Sequence, residues 1–246
     1  NGGVTRNGED DYLEVLEYAC KAPTVTKDNI NRTLVIMIPN TEDYGGVTYM
    51  WDDGTAIAYC PMSDYGYPLD FRGVIQHEAG GHGFGKLGDE YIYHNTFIQA
   101  CTCTCCQHVW EFNSAQAKGW YQNLSLTGKM SEVPWKDFIF HEKYSEFVDV
   151  FEGGFMHARG VYRSEQNSCM NNEIPYYSTI SRYEIVKRIM DYAGEEFTLE
   201  KFIENDIIEG VSTSSTKSDD VVTSRSSNAS LNSHEPVFMG KCPFFK

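Results

Sequence analysis

Residues 76–91 read Gln-His-Glu-Ala-Gly-Gly-His-Gly-Phe-Gly-Lys-Leu-Gly-Asp-Glu-Tyr, and they place His77, Glu78 and His82 on one predicted helix. A helical His-Glu-x-x-His binds zinc through two imidazoles on one face, with the glutamate beside them as general base. Here the histidines are five residues apart, a step that turns an α-helix by about 140° instead of the ~40° of a four-residue step. The rings therefore converge only in a wide π-type turn, which Gly80 and Gly81 favour because glycine is a poor α-helix former.

A third ligand is predicted where the chain leaves this helix. Three glycines between residues 83 and 88 allow a sharp turn, and Asp89 follows directly, with Glu90 as the alternative carboxylate. Three protein ligands and a fourth position for water are typical of a catalytic zinc. The prediction is one Zn²⁺ per chain on His77, His82 and Asp89, with Glu78 as the general base.

This run resembles the zinc signature of the IgA-peptidase family of metallopeptidases, in the form found in gut Bacteroides-type bacteria. The likeness covers roughly Val15 to Met190. The other matching segments are Tyr44-Gly45-Gly46, Gly160-Val161-Tyr162-Arg163, Asn167-Ser168-Cys169-Met170 and the helix around Ser181 to Met190. The resemblance implies a metzincin-like catalytic domain with the same three zinc ligands, Glu78 as base, and Met170 as the methionine of the turn beneath the metal.

Two features differ from the family pattern. Many members have the four-residue histidine spacing, and the family has a further N-terminal strand and helix that the sequence before Tyr12 does not show. We therefore expect either a truncated N-terminal part or an incomplete fold.

Peptide hydrolysis forms an oxyanion that needs a hydrogen-bond donor besides zinc. The candidate donors are Tyr91, Tyr162 and Arg163, and the last two are favoured because they precede Met170.

The remaining patterns predict an α+β fold: a mixed twisted sheet, the active-site helix and a helical C-terminal part. Asp52-Asp53-Gly54 predicts a hairpin turn between two strands, and Val47 to Cys60 offers either a strand edge for a peptide or a plain sheet edge. The predicted elements are a buried strand at 33–39, the central helix at 71–86, and helices at 12–20, 114–120, 179–193 and 199–208. Residues 1–210 are predicted to form the catalytic domain and residues 211–246 a Ser/Thr-rich flexible loop and tail.

Composition limits the partners and the compartment. The chain has 20 basic and 35 acidic residues, a net charge of −15, which argues against nucleic acid. Its longest apolar run, 34–39, is far shorter than the ~20 residues of a transmembrane helix. Eight cysteines favour an oxidising compartment, so the protein is expected to be exported: secreted, periplasmic or at the cell surface, with its signal sequence absent from this chain.

Four of these cysteines form a dense cluster, Cys101, Cys103, Cys105 and Cys106. Their spacing favours disulfides, within the loop or to Cys20, Cys60, Cys169 or Cys242, over a soft-metal site.

The function predicted from the sequence is a zinc metalloendopeptidase that acts on protein or peptide substrates. The alternative is a cell-surface binding or scaffold protein that keeps the peptidase fold without turnover.

Overall fold

The computed structural model describes residues 9–42, 45–98, 106–208 and 236–244; for residues 9–11, 106 and 107 this description covers the backbone. The α-helices are Glu9–Ala19 (α1), Phe71–Ile75 (α2), Cys106–Ala117 (α3), Lys136–Ile139 (α4), Cys169–Asn172 (α5), Thr179–Ala193 (α6) and Leu199–Asn205 (α7). A 3-10 helix spans Lys27–Arg32, and a π-helix spans Gln76–Phe84. The strands are Leu34–Met37 (β1), Val47–Met50 (β2), Ala56–Tyr59 (β3), Ile92–Phe97 (β4), Leu124–Ser125 (β5), Phe151–Gly154 (β6), Met156–Arg163 (β7) and Val237–Phe238 (β8).

The chain divides into two compact units, Asn1–Phe84 with Leu231–Lys246 and Gly85–Ser230. Each unit combines helices with a four-stranded mixed sheet, which confirms the α+β class. The strands thus form two sheets instead of one. The predicted division at residue 210 stays a prediction, because residues 209–235 lie outside the described part of the chain.

The sheet of the first unit has the strand order β1-β3-β2-β8. Side chains of successive strand residues point to opposite faces, and β3 shows the consequence. Ile57 packs in a core cluster with Leu16 of α1 and Trp51, whereas Ala58 packs in a second cluster with Ala79 of the π-helix. The helix that carries the two histidines therefore lies on one face of this sheet.

Two sequence predictions about this sheet are wrong. The strand expected to be buried, β1, has Ile36 37% exposed and lies at the edge of the sheet as far as the chain is described, because β3 is its only neighbour there. The hairpin is present, with Trp51 N–H donating to Thr55 O at 3.0 Å across the predicted turn. Both of its strands lie inside the sheet, so it forms neither a sheet edge nor a free edge for a peptide.

In the second unit, β7 is the strand to which β4, β5 and β6 all pair, β4 in parallel and the other two antiparallel. Helices α6 and α7 pack on an aromatic cluster that includes Trp135, Phe138 and Phe202. Helix α6 begins at Ser178, whose hydroxyl caps the Ser181 N–H, and it ends at Gly194, whose φ of +71° suits glycine. Among the described residues there is no helix long and apolar enough to cross a membrane.

The start of the helix that leads into the two histidines depends on a close approach between Gly73 and the loop before it. Asp70 caps α2 by accepting a hydrogen bond from Arg72 N–H at 3.0 Å. One turn later, a Cβ on Gly73 would lie 1.6 Å from the carbonyl oxygen of Pro68. A side chain at residue 73 would therefore displace backbone and shift the helix.

We expect Gly73→Ala to lower the free energy of unfolding by about 1–3 kcal/mol, the usual result of forcing extra atoms into a packed site. Gly66→Ala is the matched control, because a Cβ at Gly66 meets nothing within 4 Å, and its effect should stay within about 0.5 kcal/mol. Urea unfolding followed by circular dichroism measures both. Equal stability of the two variants would contradict the packing described here.

Candidate metal centre

The predicted wide turn is present: the helix from Gln76 to Phe84 is a π-helix. In this conformation His77 and His82 face each other, with 3.1 Å between their Nε2 atoms and 4.8 Å between ring centres. Both side chains are at most 1% exposed. The five-residue spacing therefore brings the two imidazoles together, as a regular α-helix would not.

Asp89 completes a group that can hold a metal ion. The ligand atoms of His77, His82 and Asp89 all lie within 4.8 Å of one another, and all three residues are buried. Two nitrogen ligands at 2.0–2.1 Å from one tetrahedral ion are about 3.3 Å apart, close to the histidine separation found here. Two imidazoles and a carboxylate are a donor set that suits Zn²⁺ and other first-row transition ions.

Glycine lets the π-helix approach the sheet beneath it. A Cβ on Gly83 would lie 2.6 Å from Leu34 Cδ1 and 3.9 Å from Ala58 Cβ. Ala79 fills the same interface together with Cys60 and Val74. The glycines that sequence reasoning assigned to the wide turn and to the exit from the helix thus also serve packing.

Glu78 is hydrogen-bonded by Thr48, which sequence reasoning did not single out, and lies against Gly46. Thr48 Oγ1 lies 2.9 Å from the Glu78 carbonyl oxygen and 2.8 Å from its Oε2, so its single proton can serve either acceptor. A Cβ on Gly46 would lie 2.4 Å from Glu78 Cγ, so only glycine leaves room for this carboxylate. The signal for Gly46 is in the sequence, since it belongs to the segment Tyr44-Gly45-Gly46 noted above.

Cys60 lies in the same interface and remains a thiol. Burial, and then the negative charge of Glu78, raise the pKa of the Cys60 thiol far above its usual range. Because a metal binds the thiolate, the raised pKa makes Cys60 a weaker metal ligand than a thiol with an ordinary pKa.

Glu90, the alternative ligand, is occupied by other partners. Its carboxylate accepts hydrogen bonds from Asn123 Nδ2 at 2.9 Å and from the Ser168 hydroxyl. Burial raises the Glu90 pKa to about 7, although these two hydrogen bonds act in the opposite direction. Asn123 also bonds both backbone groups of Gly88, at 2.9 and 2.8 Å, and so fixes the chain just before Asp89.

The backbone of Met170 is hydrogen-bonded to the residue that follows Asp89. It is fully buried in α5, and its carbonyl oxygen accepts a hydrogen bond from Glu90 N–H at 2.8 Å. Its assignment as the methionine of the turn beneath the metal stays a prediction.

Each of the three candidate oxyanion donors has defined neighbours in the second unit. Arg163 Nη1 donates to the carbonyl oxygens of Glu152 at 3.1 Å and Gly153 at 2.7 Å, and burial lowers the Arg163 pKa. The Tyr162 ring packs against Gly128, and burial raises the pKa of its phenol. Tyr91 is buried with its ring 4.8 Å from that of Tyr93. Their roles in catalysis stay predictions.

The predicted disulfides to the isolated cysteines are not formed. Cys20, Cys60 and Cys242 carry reduced thiols, and the Cys169 side chain is hydrogen-bonded to Tyr177. Cys101, Cys103 and Cys105 lie outside the described residues, and Cys106 begins α3.

No protein-family model matches the chain, and no curated protein matches it.

Proposed function

We propose that this chain is an exported zinc-dependent metalloendopeptidase that hydrolyses peptide bonds in protein substrates. The observation that carries the proposal is the buried His77–His82–Asp89 group with Glu78 next to His77 in the same π-helix. The resemblance to the IgA-peptidase family and its metzincin-like fold supports the same conclusion. That resemblance concerns the site and leaves the natural substrate open.

The chain's own residues have the properties that this chemistry needs. Neutral His77 and His82 and the carboxylate of Asp89 would hold the ion. When bound, zinc supplies a water with a pKa near 7 and polarises the carbonyl of the substrate. Glu78, whose Oε2 lies 2.8 Å from Thr48 Oγ1, would accept the proton of the attacking water and later deliver it to the leaving amine.

A second donor for the oxyanion would come from Tyr162 or Arg163. Arg163 is the less available of the two, because its Nη1 donates to two backbone carbonyls. Tyr162 is only partly buried, and its phenol has one side-chain partner, Glu152, which together with burial raises its pKa and keeps it protonated at neutral pH. We therefore favour Tyr162 for this role.

One observation favours the alternative function, a peptidase-like scaffold without turnover. The side chains of His77, Glu78, His82 and Asp89 are all at most 1% exposed, whereas a peptide bond must reach the metal to be cleaved. In the enzyme the surroundings of this group must open to admit substrate. In the scaffold the ion would only stabilise the fold.

Replacing His82 tests whether the group binds zinc. We expect His82→Ala to lose one zinc equivalent relative to the wild-type chain, because it removes one of the three ligands. Zinc at about 100 times its Kd should also stabilise the chelator-treated wild type by about 2.7 kcal/mol, a rise in melting temperature of roughly 5–10 °C. Elemental mass spectrometry and thermal unfolding of tag-free protein provide the two measurements.

His141→Ala is the control, since His141 accepts a backbone hydrogen bond from Lys143 and lies outside the group. It should keep the wild-type zinc content and the zinc-induced stabilisation. Equal zinc content in the wild type and His82→Ala would contradict the site.

Replacing Glu78 separates the enzyme from the scaffold. We expect Glu78→Gln to keep zinc, because Gln retains an oxygen for Thr48, and to lower peptide turnover by about 10²–10⁴-fold, since the general base is lost. A fluorogenic peptide library measures turnover, and the exposed Glu132→Gln is a matched control that should match the wild type. Turnover that survives in Glu78→Gln would refute the mechanism. A zinc-loaded wild type without turnover would favour the scaffold.

A further inference from the structure

Three histidines that the proposed function does not use converge in the second unit. His94 lies on β4, His108 in the first turn of α3 and His157 on β7. The parallel register of β4 and β7 pairs His94 directly with His157. The His157 ring centre lies 5.5 Å from that of His108 and 6.2 Å from that of His94.

His157 is the centre of this cluster and has a defined partner at each ring nitrogen. Its Nδ1 lies 2.9 Å from Thr96 Oγ1, and its Nε2 lies 3.2 Å from His108 Nδ1. The side chain is 1% exposed, and burial, followed by the charges of His108 and His94, lowers its pKa to about 4.

The hydrogen bond to Thr96 is compatible with the tautomer that a metal ligand needs, because a hydroxyl can accept as well as donate. With the proton on Nδ1 donated to the Thr96 hydroxyl, Nε2 presents its lone pair toward His108. Metal-binding histidines are arranged in this way, with one nitrogen on the ion and the other held by a hydrogen bond that fixes the tautomer and the ring.

We propose that His157, His108 and His94 form a second binding site for a zinc-class transition-metal cation. The 3.2 Å between the nitrogens of His157 and His108 is close to the ~3.3 Å expected of two nitrogen ligands on one tetrahedral ion. An ion replaces the hydrogen bond between the two rings. The exposed His94, whose ring centre lies 6.2 Å from that of His157, would become the third ligand by a change of rotamer, and water would be the fourth.

This site shares no residue with the His77–His82–Asp89 group, so either can exist without the other. The sequence also offers another holder for a second ion, the cysteines at 101–106 that precede His108 in the chain. The experiment must therefore separate three sources of bound metal.

The test is the zinc content of the full, tag-free chain after chelator treatment and reloading with Zn²⁺. We expect His157→Gln and His108→Gln each to lose one zinc equivalent relative to the wild type. His82→Ala should lose a different one, so that the double variant His82→Ala with His157→Gln loses both. His141→Gln is the control and should lose none.

Zinc retained by the His77 group shows that a His157 or His108 variant has folded. If buried His157→Gln loses both ions through misfolding, the half-buried His108→Gln decides. Thr96→Val should keep the second ion but raise its Kd by about 10–100-fold, because it removes only the hydrogen bond that orients His157.

A second zinc that persists in both His108→Gln and His157→Gln would overturn the proposal, and its loss in Cys105→Ser would assign it to the cysteines instead. A wild type whose only zinc disappears in His82→Ala would also overturn it. One zinc that disappears in His157→Gln but not in His82→Ala would support this site and refute the proposed function.

Discussion

The geometry of the histidine pair depends on the width of one helical turn. Residues five apart on an α-helix point about 140° away from each other, and the separation of 3.1 Å between the Nε2 atoms of His77 and His82 requires the π-helix between Gln76 and Phe84. Glycine permits this turn in two ways, through backbone preference and through packing. Gly80 and Gly81 remove the preference for α-helix, and Gly83 lets the widened helix lie against Leu34 and Ala58 of the sheet.

The same wide turn determines where Glu78 lies and what may surround it. Its carboxylate points at the strand that carries Thr48 and fills the space that Gly46 leaves. Glu78 is 1% exposed, and such burial strengthens the electrostatic interactions of its carboxylate. The rise in the Cys60 pKa is a direct result of this environment. A closed, dry centre favours tight metal binding, and it makes access of a substrate the property on which enzyme and scaffold differ.

Local signals gave correct predictions where the cause was local. The hairpin turn, the wide helical turn and helices α6 and α7 follow from short patterns of turn residues and apolar spacing. The helix predicted at 114–120 is wrong in its bounds, since α3 spans Cys106–Ala117. The position of β1 at the edge of its sheet could not be predicted, because an apolar strand has the same pattern in the middle and at an edge. The expected single sheet failed for a related reason, since strand patterns do not specify which strands pair.

Contacts over long sequence separations were also missed. Thr48 and Glu78 are 30 residues apart, and His157 is separated by 49 residues from His108 and by 61 from Thr96. No spacing rule connects such residues, so only the pairing of β4 with β7 and the placement of α3 reveal the histidine cluster. Asp89 could be predicted from the sequence as a candidate ligand, because it follows the helix after a short glycine-rich stretch.

The central claim is that the π-helix makes a metal site from histidines five residues apart. The most direct measurement is a crystal structure of the zinc-loaded chain, with anomalous data collected on both sides of the zinc absorption edge. We predict an anomalous peak about 2.0–2.2 Å from one nitrogen each of His77 and His82 and from a carboxylate oxygen of Asp89. A regular α-helix with the two imidazoles on different faces, and no peak between them, would contradict the account.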